Sequence, residues 1–242
     1  FADFLASRHP PEPVSLGRAA QHLAEEDELE AALELALVAG DQASAASWLR
    51  ELAPEMSTGP GLPRLLAWLE RLEAPGEALL LERAWASLIT GRLSEAARSL
   101  ASAPSPGDPS LEGARASMEA SLASVLGDGA RALDLAERAL AALPETPGRW
   151  RSAALTASGL GGLELGDLRR AERRLKQAAE ESRAAGNLPN ALMSAGLRGV
   201  ALARLGHPEE AELSARTAAE EASSLRGHLS AMGGFGAVAL GW

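Results

Sequence analysis

The stretch Gly166–Ala178, GDLRRAERRLKQA, decides the fold, because its spacing recurs along the chain. The pattern G-x-x-x-x-A-x-x-x-(L/A)-x-x-A begins at Gly91, Gly127, Gly166 and Gly206. Five residues after each glycine stand Ala96, Ala132, Ala171 and Ala211. Nine residues after stand Leu100, Ala136, Leu175 and Ala215, and twelve after stand Ala103, Ala139, Ala178 and Ala218. Seven residues before each glycine lies a further small residue: Ala84, Ala120, Gly159 and Gly199. The same pair recurs at Gly234 and Gly241. A repeat of 35–40 residues with small side chains in register predicts stacked helical hairpins, in which each unit buries its apolar face only against its neighbours.

Composition agrees. The 242 residues are 46% hydrophobic but only 3% aromatic, so the core must be built from close helix contacts through Ala and Leu. No segment shows sustained period-2 alternation, and the chain is predicted to be all-α, a right-handed superhelical solenoid of antiparallel hairpins. The first helix of each repeat (helix A) is expected over 77–90, 110–126, 148–165, 188–205 and 227–240. The second (helix B) is expected over 93–102, 129–142, 168–184 and 208–224. Upstream, His9–Pro13 interrupts a helical end, Val14–Glu26 forms a helix, Asp27 is expected to cap a second, and Gly40 stops it before Asp41 caps a third. The organisation expected is therefore a helical end and linker over 1–13, atypical hairpins over 14–76 and regular repeats over 77–242. The last repeat breaks off after Gly241, so its helix A would lack a partner and expose an apolar face open to self-association.

The net charge of −10 argues against binding nucleic acid or an anionic membrane through a broad basic face. With no cysteine there is no disulfide framework, thiolate metal site or cysteine nucleophile. No apolar run approaches the ~20 residues that span a bilayer, no signal peptide opens the chain, and a cytoplasmic location is expected. The chain begins at Phe1, not Met, and reads as a piece of something longer. A phosphate-cradling G-x-x-x-x-G-K-[ST] loop is absent: Lys176 is the only lysine and Leu175 precedes it. His9, His22, His207 and His228 lack metal spacing. No enzymatic chemistry and no cofactor are expected. Arg169, Arg170, Arg173 and Arg174 form a basic cluster with Glu172, Glu180 and Glu181 at hand as partners on the same helix, and Glu25–Glu28 form an acidic, solvated corner.

The columns resemble the tetratricopeptide repeat: Gly at the end of helix A, Ala early and late in helix B, and a small residue where the two helices touch. The resemblance covers about 77–242. It implies a concave wall made by helix A at positions two, six and ten residues before each glycine. The candidate contacts are Trp85, Ser117, Ser121, Thr156, Leu160, Glu164, Val200, Arg204 and Phe235, with Ile89, Val125, Leu81 and Gly196 in the same columns. Such a mixed wall suits a small polar ligand or an extended peptide. The Lys, Arg and Asn of the family's carboxylate clamp are absent.

A narrower resemblance covers 1–55. Phe1-Ala2-Asp3-Phe4-Leu5, Gly17–Glu25 and Glu30–Asp41 are similar to MalT-like regulators of the LuxR type. That similarity implies a sensor segment of an ATP-dependent transcription activator, which binds a small-molecule inducer or a protein and makes no direct nucleic-acid contact. The alternative is a general adaptor that scaffolds protein partners. Finally, Gly161 and Gly162 lie inside a helix at a cost of ~1 kcal/mol each. Either that helix is locally soft or something approaches its backbone closely.

Overall fold

The computed structural model describes residues 12–103 and 109–224. Among these there are twelve α-helices and no strand. They are α1 (Pro13–Glu25), α2 (Leu29–Ala39), α3 (Gln42–Met56), α4 (Leu62–Arg71), α5 (Glu77–Ile89), α6 (Leu93–Ser102), α7 (Pro109–Val125), α8 (Gly129–Ala142), α9 (Arg149–Leu165), α10 (Leu168–Ala184), α11 (Leu188–Leu205) and α12 (Pro208–Ser224). Helices pack on their neighbours in sequence and on the next helix but one, as α5 on α7, α7 on α9 and α9 on α11. That pattern is an α-solenoid of antiparallel hairpins, with α5, α7, α9 and α11 as helix A and α6, α8, α10 and α12 as helix B.

The repeat columns explain the hairpins. Gly91, Gly127, Gly166 and Gly206 all take a left-handed backbone, with φ of 77°, 78°, 78° and 86°. Only glycine does so without a Cβ penalty, so each ends helix A sharply. An N-cap follows at once in two repeats: Asp128 accepts from the Arg131 N–H at 3.2 Å and Asp167 from the Arg170 N–H at 3.1 Å. Asn187 caps α11 in the same way. Ala96, Ala132 and Ala171 are fully buried, as are Ala84, Ala120, Ala139 and Ala178, so helix B lies close on helix A along these columns. The junction of α2 and α3 follows the same logic, with Gly40 left-handed and Asp41 accepting from the Ser44 N–H.

At α1–α2 the expected cap is corrected. Glu28, not Asp27, is the residue preceding α2, and it makes no side-chain cap. Asp27 instead takes φ 65°, the left-handed conformation that glycine supplies in the later repeats. The helix expected over 227–240, with its exposed face, lies outside the described residues.

Helix α9 is buried on every side from Ser152 to Ser158, as α5 is from Ala84 to Leu88. In α9 three glycines bring the neighbouring helices closer still. Gly159 faces Leu175 of α10, where a Cβ would come within 2.5 Å of Leu175 Cγ. Gly161 faces the first turn of α8, and Gly162 faces Ala171 of α10. The two mid-helix glycines are therefore places where both flanking B helices reach the backbone of α9.

Candidate functional site

The helix A wall proves graded. Ten residues before the glycine, Leu81, Ser117, Thr156 and Gly196 are all buried. Six before it, Trp85 and Ser121 are buried, whereas Leu160 and Val200 are half-buried. Two before it, Val125, Glu164 and Arg204 are exposed and Ile89 is half-buried. The wall is thus closed along the N-terminal half of helix A and open near the glycine turns.

The closed half is sealed by hydroxyls. Ser117 donates to the carbonyl of Trp150 at 2.7 Å, tying α7 to the start of α9. Ser121 donates to the Ser117 carbonyl within α7. Thr156 lies 2.9 Å from Ser194 Oγ, and Asn190 Nδ2 donates to Thr156 Oγ1 at 3.2 Å and to Ser182 Oγ at 2.8 Å, which ties α9, α10 and α11 together. Buried polar groups of this kind are stable only when partnered; Ser117 and Thr156 find partners in the next repeat, and Ser121 finds its own within α7. Ser117, Ser121 and Thr156, expected on the concave wall, are therefore buried between helices in this structure.

Trp85 is also withdrawn from the wall. Its ring meets Trp150 edge to face, with centroids 5.8 Å apart. The Arg149 guanidinium lies over the Trp150 ring at 4.3 Å. Arg149 donates through both terminal nitrogens to the carboxylate of Glu82, one bond at 2.7 Å, and also to Ser57 Oγ. Glu82 and Ser57 are buried. This cluster links the end of α3, the middle of α5 and the first turn of α9, from positions 67 and 92 residues apart. No local pattern in the sequence signals it.

The open half contains Leu160, Glu164, Val200 and Arg204. Leu160 and Val200 pack with Leu163, Leu197 and Leu175 while keeping part of their surface free. Arg204 donates to the Leu163 carbonyl at 2.8 Å, beside the longer bond that this carbonyl accepts from the Gly166 N–H at 3.4 Å, and so ties the end of α11 to the last turn of α9. The Glu164 carboxylate lies over the first turn of α8 at Gly129, where a helix N-terminus favours negative charge. Glu164 and Arg204 thus share one rim, although no ion pair joins them. Phe235 lies outside the described residues.

The basic cluster of α10 is paired differently from the expectation of partners within the helix. Arg170 and Arg174 both bind Glu137 of α8, each at 2.9 Å. Glu172 binds Arg198 of α11, Glu181 binds Arg151 of α9, and Arg183 binds Glu221 of α12. These ion pairs staple successive elements of the solenoid. The Glu137 carboxyl stays below the usual carboxylate range: desolvation raises it, but hydrogen bonds and charge from Arg170 and Arg174 outweigh that. Among the described residues, no group of three or more His, Cys, Asp or Glu is placed to hold a metal ion. No described helix is long and apolar enough to cross a membrane.

No family model matches the chain, and no curated protein matches it. Among solved structures it is similar to a tetratricopeptide repeat protein from Parabacteroides merdae ATCC 43184, at 14% identity and a TM-score of 0.47, over 85% of this chain and 91% of that one. It is also similar to BtubC (BKLC) from P. vanneervenii, at 18% identity and a TM-score of 0.47, over 89% of this chain and 91% of that one. The assignment to an α-solenoid rests on the helix packing and the glycine turns described above.

Proposed function

We propose that this chain is a helical-repeat scaffold that binds a protein segment along the rim of helix A near the glycine turns. The observation that supports it is the grading of the wall: apolar Val125, Leu160 and Val200 reach the surface beside Glu164 and Arg204. Such a rim offers apolar contact with a charge of each sign to fix the orientation of an extended segment. Repeat stacks present extended surfaces of this kind because each unit spends its core on its neighbours alone.

A photo-crosslinking residue at Leu160 or Val200, with one at exposed Arg98 as comparison, tests the reading. A partner captured in cells is then purified and titrated against the chain. Reversal of both charges, Glu164→Arg with Arg204→Glu, is expected to weaken that complex about tenfold or more, the effect of 1.4 kcal/mol. Capture from position 98 alone, or a complex indifferent to the double reversal, contradicts the proposal.

A second, finer reading is the sensor segment of a MalT-like transcription regulator, in which an inducer shifts the balance between two states by its differential affinity. It is supported by Glu30–Asp41, whose end forms a left-handed glycine stop followed by an aspartate cap. A full-length gene encoding a Walker A loop upstream and a helix-turn-helix downstream favours this reading, and a gene lacking both rejects it.

A further inference from the structure

Helix α10 concentrates positive charge in an acidic chain. Between Leu168 and Lys176 it carries Arg169, Arg170, Arg173, Arg174 and Lys176 against the single carboxylate of Glu172. Helical spacing sorts these into two stripes. Arg170 and Arg174 form one stripe, and both are spent on Glu137. Arg169, Arg173 and Lys176, spaced i, i+4 and i+7, form the other. All three are exposed, and no ion pair holds any of them among the described residues. Glu172, the acid within the stripe's own span, is turned away to Arg198 at 2.7 Å, and Glu180, four residues beyond Lys176, forms no ion pair with it. Like charges at i,i+4 cost a helix a few tenths of a kcal/mol per pair. Among the described residues no carboxylate forms an ion pair with this stripe, although the chain as a whole is acidic.

The stripe ends at a groove. Lys176 lines it together with Ala179 of α10, Ala195 of α11 and Leu213 of α12, and the charged walls set Arg183 and Arg198 beside Lys176 against Glu180 and Glu210. The two alanines leave the floor shallow and apolar, and Leu213 keeps 66% of its surface exposed beside it. Cations and an apolar slot thus lie side by side on the helix B face, away from the helix A rim.

We propose that this face binds an acidic segment of a partner protein, with carboxylates on Arg169, Arg173 and Lys176 and an apolar side chain in the Ala179–Ala195–Leu213 groove. Guanidinium forks match carboxylates geometrically, and the same helix already holds one carboxylate, Glu137, by two of its arginines. The stripe spans seven residues, about 10 Å of helix, near one Debye length. A short acidic segment therefore senses the local patch, whereas a long polyanion such as nucleic acid also meets the net charge of −10. The proposal stands independently of the helix A rim.

The test uses a fluorescent Glu-rich peptide with one central Leu, a matched Lys-rich peptide and a single-stranded oligonucleotide, titrated by anisotropy at low and physiological salt. The Glu-rich peptide is expected to bind wild type and to weaken as salt screens the contact. Arg169→Glu with Arg173→Glu should weaken it about tenfold or more. Arg50→Glu with Arg98→Glu, which changes the net charge equally at exposed positions elsewhere, should leave it within about twofold. Leu213→Ser should weaken it several-fold with the circular dichroism spectrum unchanged. Failure of wild type to bind the peptide, equal losses in the two double variants, or preference for the oligonucleotide each overturns the proposal.

Discussion

The carbonyl oxygen of Gly129 stands 2.7 Å from the point where a Cβ on Gly161 would lie. The first turn of α8 and the middle of α9 are therefore in backbone contact. Alanine normally improves a helix interior by about 1 kcal/mol over glycine. At position 161 the methyl would have to push two backbones apart, which costs about 1–3 kcal/mol. Gly161→Ala is expected to lower the melting temperature. Gly17→Ala, in α1, where a Cβ meets nothing within 4 Å, is expected to raise it. Calorimetry of the two variants checks the pair, and a stabilised Gly161→Ala contradicts the contact.

Asp27 is expected to gain from glycine. It holds φ 65° at the α1–α2 turn, in the conformation that Gly91, Gly127, Gly166 and Gly206 supply later. Left-handed backbone costs an L-residue about 1–2 kcal/mol, less for Asp, and glycine's extra chain entropy offsets part of the relief. Asp27→Gly should stabilise by about 0.5 kcal/mol, or 1–2 °C for a chain of this size, whereas Asp27→Val should destabilise. Thermal melts that rank the three the other way would refute the assignment.

Arg149 joins α9 to Glu82 of α5 and to Ser57 after α3. Removing it leaves the Glu82 carboxylate buried without its cation. Arg149→Met is expected to cost about 3–5 kcal/mol, and the double variant Glu82→Leu with Arg149→Met should recover most of that loss, because an apolar pair of similar size replaces a buried ion pair well. Urea unfolding of the single and double variants measures the coupling. Additive losses would show that the pair does not act as a unit.

The glycine and alanine columns made the hairpins legible, because a left-handed stop and a small contact residue are local demands that one position meets. The expected helix B spans match α6, α8, α10 and α12, for the same reason. The site was less legible. Positions ten and six before each glycine point toward the inner wall in any such helix, but how tightly repeats curl decides whether they stay open. Here Trp85 and Trp150 meet and Arg149 reaches Glu82, contacts between residues 65 and 67 positions apart that no column encodes. The pairing of Arg170 and Arg174 was hidden for a similar reason. Same-helix acids were available in sequence, but Glu137 of the preceding hairpin reaches them in space.

Acid is expected to weaken the fold through three carboxyls. Glu34 is held below its ordinary range chiefly by the Trp68 indole N–H and then by Arg71, Asp41 by hydrogen bonds from Ser44, and Glu137 by Arg170 and Arg174 against its desolvation. A depressed folded-state pKa means the folded state binds fewer protons, so the stabilisation is present above the unfolded pKa and is lost as pH falls through the folded one. Stability should thus hold at neutral pH and decline below the ordinary carboxylate values of about 4. Glu137→Gln should flatten that decline. Melting curves from neutral pH downward that show the variant and wild type losing stability in parallel would count against it.

The absence of cysteine allows spin labels to be placed without background. Arg98, Asp134, Arg173 and Leu213 each stand seven residues after a turn glycine, on exposed positions of α6, α8, α10 and α12. Pulsed electron-paramagnetic-resonance distances from a label at position 98 to labels at 134, 173 and 213 test the solenoid directly. The account predicts that the three distances rise in that order, one step per repeat. A 98–213 distance as short as 98–134 would mean that the helices fold back into a closed bundle, and would contradict it.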